Sequence, residues 1–204
     1  MKGVKNIHIP SYSRDIDKLK KLIDKCEELS YEVRLYIIHC NYEDGIGNIS
    51  WKHNEVLKIL KDKGEGFYRV DLDAWKYVTD EMFELEKSPY NITGAFNDNE
   101  GFKKVYYKKC ENHDNTGFPV KAFAGNKPRR YFEVDAFHSP IRYIDEECVK
   151  KYPELKFGNV YDGKTYSQSD NITYQLTAVD MGLKVGIDKE FQVIHPLKSK
   201  RRRR

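Results

Sequence analysis

Between Lys5 and Asp73 the chain alternates strand-like and helix-like stretches, and that alternation constrains the fold more than any other feature. Lys5-Asn6-Ile7-His8-Ile9-Pro10 alternates around Ile7 and Ile9 and reads as a first strand. Ile16, Leu19, Leu22, Ile23, Cys26 and Leu29 then recur at helical spacing, which predicts an amphipathic helix from Arg14 to Ser30. Val33, Leu35, Tyr36, Ile37 and Ile38 make a nearly unbroken apolar run, the pattern of a strand buried on both faces of a parallel sheet. A second helix is predicted from Ile49 to Lys61, with Val56, Ile59 and Leu60 on its inner face. Gly64 and Gly66 then punctuate the entry to a third strand, in which Phe67, Tyr68 and Val70 are strand formers. A β-α-β-α-β series builds a doubly wound sheet with right-handed crossovers, and such sheets bind ligands outside the carboxyl ends of their strands. The segments at those ends are Pro10 to Arg14, Asn41 to Gly45 and Asp71 to Asp73.

Asp71 and Asp73 are therefore the first candidates for chemistry. Two carboxylates one residue apart at a strand end can both reach a hard cation where the chain turns, and Mg²⁺ or Mn²⁺ takes such oxygens together with substrate phosphates. The plainer readings are two solvated acids, or one acid capping the helix that follows. Beyond this point the predicted elements are a short helix at Thr79 to Leu85, strands at Tyr90 to Ala95 and Phe132 to Phe137, and a helix at Asp145 to Tyr152 stopped by Pro153. Asp170 to Met181 reads as a helix with Gly182 as its C-cap, followed by late strands at Leu183 to Asp188 and Phe191 to Ile194.

The whole chain carries a net charge of +4, yet six positive charges sit in Lys198 to Arg204, so the remainder sums to −2. This predicts one domain over residues 1–197 and a basic tail over 198–204, the tail being either a polyanion-binding end or only a solubilising one. Cys26, Cys40, Cys110 and Cys148 lack any C-x-x-C pair, which argues against a zinc site, and Cys26 and Cys40 read as small buried hydrophobes. No run approaches the roughly 20 apolar residues that span a bilayer. With no signal-peptide pattern after Met1, the expected location is the cytoplasm, or the host cytoplasm for a phage protein.

Four pieces, in order, resemble the GT-A fold nucleotide-sugar glycosyltransferases from about Ile7 to Pro196. "IHIPSYSR" is similar to that family's first strand and the opening of its nucleotide pocket. "GNISWKHNEVLKIL" resembles its second-helix segment, with His53 where an Arg is usual. "FYRVDLDAW" is similar to its D-x-D strand. "SDNITYQLTAVDMGLKVGIDKEFQVIHP" resembles its closing half: an acid at a helix start, a strand, then a late His. The resemblance implies an α/β fold, GT-A-like and Rossmann-like, with a mixed, mainly parallel central sheet flanked by helices. It implies a metal-dependent enzyme moving a sugar from a nucleoside diphosphate sugar, UDP-linked first among them, to an acceptor hydroxyl. Asp73, Asp71 and His195 would hold Mn²⁺ or Mg²⁺, with Asp71 also reaching the ribose. Asp170 would be the catalytic base, its plainer role being a helix cap. Pro10, Ser11, Tyr12 and Arg14 would wall the nucleotide, and Lys52 and His53 would meet its phosphates.

Basic and aromatic residues interleave from Phe102 to Tyr131, as on surfaces that grip phosphates and stack bases. Lys108, Lys109, Arg129, Arg130 and Tyr131 are the expected acceptor-facing residues. With the Arg tail they point to a nucleic-acid acceptor, specifically a hydroxymethylated pyrimidine in DNA modified by a small phage-type enzyme. A glycan or other non-DNA acceptor stands beside it. So do two other classes: a nucleotidylyltransferase, against which the absence of Gly from "PSYSRD" counts, and a non-catalytic nucleic-acid-binding module, which would not need the acids.

Overall fold

In a computed structural model of the protein, the residues described are 3–12, 16–40, 47–97, 106–108, 118–119, 130–158, 160–161, 164–165 and 170–194. The predicted opening series is present: β1 (Lys5–Tyr12), α1 (Ile16–Glu27), β2 (Val33–Cys40), α2 (Gly47–Lys61) and β3 (Phe67–Val70). Two 3-10 helices, Leu72–Tyr77 and Asp80–Lys87, lead to β4 (Ile92–Asn97). Short strands β5 (Tyr106–Lys108) and β6 (Phe118–Pro119) precede β7 (Tyr131–Val134), β8 (Ala136–Phe137) and β9 (Ile141–Ile144). Then come α3 (Glu146–Lys150), the paired β10 (Val160–Tyr161) and β11 (Lys164–Thr165), α4 (Asp170–Asp180) and β12 (Val185–Val193). Gly182, at φ +81°, closes α4 as its sequence predicts, and the Leu183 N–H reaches back to the Ala178 carbonyl at 2.9 Å.

The central sheet has seven strands in the order β2-β1-β3-β9-β4-β12-β7. It is mixed: β1 runs parallel to β2 and β3, and β4 parallel to β12, while β9 is antiparallel to both its neighbours and β7 is antiparallel to β12. Helices cover both faces. Leu19, Leu22 and Cys26 of α1 pack with Ile7, Ile9, Tyr68 and Val70 and with the 3-10 helices on one face. On the other, Val56, Leu57 and Leu60 of α2 pack with Phe67, Ile92 and Ile144 and with residues of α3 and α4.

Three expectations change. The apolar run of β2 lies at a sheet edge and its residues 33–38 are half-buried or exposed, because α1 and α2 each cover only part of it. The inner face of α2 is Lys52, His53, Val56, Leu57 and Leu60, while Ile59 is exposed; the helix is rotated so that two polar residues point into the core. The two late strands are one, β12, whose register against β4 shifts between Asp188 and Gln192. Asp188 fills that irregularity: it is fully buried, accepts the Glu190 N–H at 2.9 Å, and binds both Nε and Nη2 of Arg130.

Candidate functional site

The strand order reverses at β1. From β1 the chain passes over α1 to β2 on one side, then over α2 to β3 on the other, and the two crossover helices lie on opposite faces. In doubly wound sheets the crevice outside the carboxyl ends of two such strands is where ligands bind. Pro10, Ser11 and Tyr12 end β1 there, and Asp71 follows β3. The Asp71 N–H donates to the Pro140 carbonyl at 2.8 Å, so the start of β9 closes the same end.

Asp71 precedes the first 3-10 helix but its side chain makes no capping bond, which removes the cap reading for it. Its Oδ1 accepts from Arg69 Nη2 at 2.7 Å. Asp73 accepts from Lys18 of α1 through its own Oδ1. Both carboxylates are about one-third exposed, and among the described residues no hydrogen bond reaches the Oδ2 of either. Each carboxylate thus keeps one oxygen uncommitted among the described residues, the donor type that Mg²⁺ takes from one or two protein carboxylates, with Asp71 tied to Arg69 and Asp73 to α1. No group of three or more His, Cys, Asp or Glu suited to a metal occurs among the described residues.

Lys52 and His53 do not stand at the crevice surface. Both are fully buried, and Lys52 Nζ donates to the Ser11 carbonyl, tying α2 to the end of β1. Ser11 and Pro10 are themselves buried, so they shape the wall from below instead of presenting side chains to a nucleotide. Neither the Lys52 nor the His53 side chain is presented at the crevice surface, the place expected for the diphosphate contact.

Beneath the crevice, on the α2 face, lies a polar row that single-residue reading misses. His8 of β1 is the register partner of Arg69 on β3, and Arg69 is the partner of Arg142 on β9. All three are buried. The Tyr36 carbonyl can only accept, so the His8 Nδ1 carries the proton of that 3.0 Å bond. His8 Nε2 is then the acceptor for His53 Nδ1–H at 2.8 Å. Burial, opposed by the bond to Tyr36 and reinforced by nearby positive charge, lowers the His8 pKa to about 3. Burial and the Arg69 and Arg142 charges press His53 well below the ordinary imidazole range. Asn54 clamps Phe157 with two 2.8 Å bonds, and the Phe157 ring, stacked on Tyr174, closes over His53. Gly94, next in the row after Arg142, has no side chain because the Phe137 ring occupies that space.

The remaining expected residues are scattered. Arg130 is engaged with Asp188, Glu84 and Glu190, an acidic set that offsets its charge and raises its pKa, so it is not a bare cation on a phosphate-binding surface. Tyr131 donates its hydroxyl to the Glu84 carbonyl at 3.5 Å. Lys108 lies on β5 and Asp170 begins α4, but their side chains fall outside the described residues, as does that of Tyr12. Arg14, Lys109, Arg129, His195 and the tail lie outside them altogether. Of the cysteines, Cys26 and Cys148 are buried thiols. A cavity of about 210 Å³ opens at the opposite end of the sheet, lined by Asn6, Glu65, Tyr68, Glu86 and Tyr143. Its polar groups bond to one another, Asn6 to Glu65 and Tyr68 to Glu86, and it faces the amino ends of β1 and β3.

No protein family matches the chain, and no curated protein does. Among solved structures it is similar to the nucleoside-diphosphate-sugar pyrophosphorylase from Vibrio cholerae RC9, at 9% identity and a TM-score of 0.39 over 93% of this chain and 73% of that one. A likeness that slight places neither a site nor an activity. No helix among the described residues is long and apolar enough to cross a membrane.

Proposed function

We propose that this chain is a metal-assisted glycosyltransferase working from a nucleoside diphosphate sugar in the crevice outside β1 and β3. The observation that carries the reading is the pair Asp71 and Asp73 at the point where the strand order reverses. Breaking the anomeric bond leaves negative charge on the departing diphosphate, and Mn²⁺ or Mg²⁺ bound there would offset it. Asp73 and Asp71 are the residues to hold that ion, through the oxygens not committed to Lys18 and Arg69. Arg69 fixes the Asp71 carboxylate, so one ligand is oriented before any cation arrives. Lys18 holds Asp73 by an exposed pair of the kind worth only about 0–1 kcal/mol, so Asp73 would be released to a divalent ion at small cost. Asp170 is assigned the proton of the acceptor hydroxyl and His195 a place among the metal ligands, both on the family resemblance.

The test is a panel of nucleoside diphosphate sugars with Mn²⁺ or Mg²⁺, scored for release of nucleoside diphosphate. Asp73→Ala should abolish the metal-dependent turnover and leave the fold intact. Failure of every sugar nucleotide to bind with either metal present refutes the reading. Release of pyrophosphate instead of nucleoside diphosphate assigns nucleotidyl transfer. Acceptors are then compared directly, DNA carrying hydroxymethylated pyrimidine against free glycans.

A further inference from the structure

Two arginines stand side by side in the middle of the sheet with half of their donors unused. Arg69 and Arg142 are direct cross-strand partners, 4% and 2% exposed. Like charges directly opposite on neighbouring strands destabilise a sheet, and burial removes the water that would screen them. Arg69 spends Nη2 on Asp71, and Arg142 spends Nη2 on the Ser139 carbonyl at 2.7 Å. The Nε and Nη1 of both are buried and bonded to nothing among the described residues, and so is His53 Nε2. The Phe137 ring, 5.5 Å from the Arg142 guanidinium, offers its π face but no acceptor oxygen. A guanidinium stays protonated in proteins, so the charge cannot be shed. Water would complete hydrogen bonds but would leave the charge uncompensated. Buried orphan groups in such number call for an ion.

The unused set has a definite chemistry. The four orphan nitrogens carry six N–H groups, and because Nε and Nη1 of one guanidinium lie on different edges, each arginine can offer one of those edges to a tetrahedral or planar oxyanion. His53 Nε2 is different. Because Nδ1 carries the ring proton toward His8, Nε2 is a bare lone pair, and it needs a donor. An oxyanion that keeps one O–H meets both demands.

We propose that Arg69, Arg142 and His53 form a buried binding site for a phosphate group bearing a hydroxyl, as inorganic phosphate or as the monoanion of a phosphate monoester. The oxygens accept from the two guanidinium groups and the O–H donates to His53 Nε2. Arg69 lies two residues, roughly 7 Å, before Asp71 on an extended strand and bonds its carboxylate, so the site sits directly under the crevice. It does not depend on sugar transfer, because the orphan donors require an anion whatever the crevice does.

The experiment is thermal unfolding of the full chain at pH 6, where a monoester with its second pKa near 6 is about half monoanion, in phosphate- and sulfate-free buffer, titrated at matched ionic strength with inorganic phosphate, sulfate, or glucose 1-phosphate. Inorganic phosphate or the monoester should raise Tm saturably, by roughly 5–10 °C at a hundredfold excess over Kd. A response to both identifies phosphate itself as the ligand; a response to the monoester alone assigns the site to a phosphorylated metabolite. Sulfate, with no hydroxyl at neutral pH, should bind at least tenfold more weakly. Arg142→Met should abolish the shift, and in phosphate-free buffer its Tm should equal or exceed that of the wild type, since one uncompensated charge has gone. The proposal is overturned if neither phosphate species shifts the wild-type Tm, or if Arg142→Met keeps the shift. Equal binding of sulfate overturns the role given to His53. A large Tm loss in Arg142→Met, with no phosphate effect on the wild type, would show that the counter-charge belongs to the chain itself.

Discussion

Acidification should unfold this protein through its buried histidine pair before its carboxylates titrate. His8 has a folded pKa of about 3 against 6.5 for the exposed group. A pKa depressed on folding means that the unfolded chain binds more protons between those values. The contribution is therefore whole above the unfolded value and is lost as pH falls toward the folded one. The slope is about 1.4 kcal/mol per pH unit per group, so at about pH 5 His8 alone costs about 2 kcal/mol. His53, pressed down by burial and by the Arg69 charge, shifts in the same direction and adds to the loss. Against a typical stability of roughly 5–15 kcal/mol this is large, and the His8 part alone lowers Tm by about 4–8 °C for a domain of this size. Asp145, whose carboxyl burial pushes up, acts the other way nearer the carboxylate range, so the upper part of the window belongs to the histidines. The assay is urea unfolding at pH 7.5, 6 and 5 in MES and HEPES without phosphate. His53→Gln keeps an amide donor for His8 Nε2 but removes one titrating ring, and should make the slope shallower. Stability that is flat or rising between pH 6.5 and 5, or an unchanged slope in the variant, would refute the burial argument.

Other perturbations test the packing. Arg130→Ala leaves the fully buried Asp188 carboxylate without its guanidinium and should cost about 3–5 kcal/mol in urea unfolding, whereas Asp188→Asn with Arg130 intact should cost less. Gly94→Ala puts a methyl 2.2 Å from a Phe137 ring carbon, and the buried ring must move, so a loss of about 1–3 kcal/mol is expected by thermal denaturation. Asn54→Ala removes both bonds to Phe157 and should cost about 1–3 kcal/mol, with a change in near-UV circular dichroism from the stacked Phe157 and Tyr174 rings.

The opening half of the fold was legible because its strands and helices are long, periodic and local. The reversal at β1 followed from the connectivity, and with it the place of Asp71 and Asp73. β9 was not legible. Ile141-Arg142-Tyr143-Ile144 is four residues between Pro140 and a helix cap, with an arginine in the middle, and nothing local says that it inserts between β3 and β4. The polar row was hidden for a related reason. His8 between Ile7 and Ile9, Arg69 between Tyr68 and Val70, and Arg142 between Ile141 and Tyr143 each look like the wet side of a half-buried strand. Only a sheet covered on both faces makes them core residues, and the three members lie far apart in sequence. Lys52 and His53 misled in the same way, since a charged pair near the start of a helix ordinarily faces solvent.

The late arrival of β9 also bears on synthesis. Until residue 144 has left the ribosome, the flank of β3 that β9 will cover has no partner, and β4 lacks both β9 and β12. The nascent chain thus carries open strand edges through more than half of its translation, with Phe67 and Ile92 awaiting Ile144. Such edges are templates for pairing with other chains, and closure waits on contacts distant in sequence. Vulnerability to aggregation should therefore be greatest during production, and a truncation ending at Asn97 should be insoluble even though it contains β1, β2, β3 and both acids of the crevice.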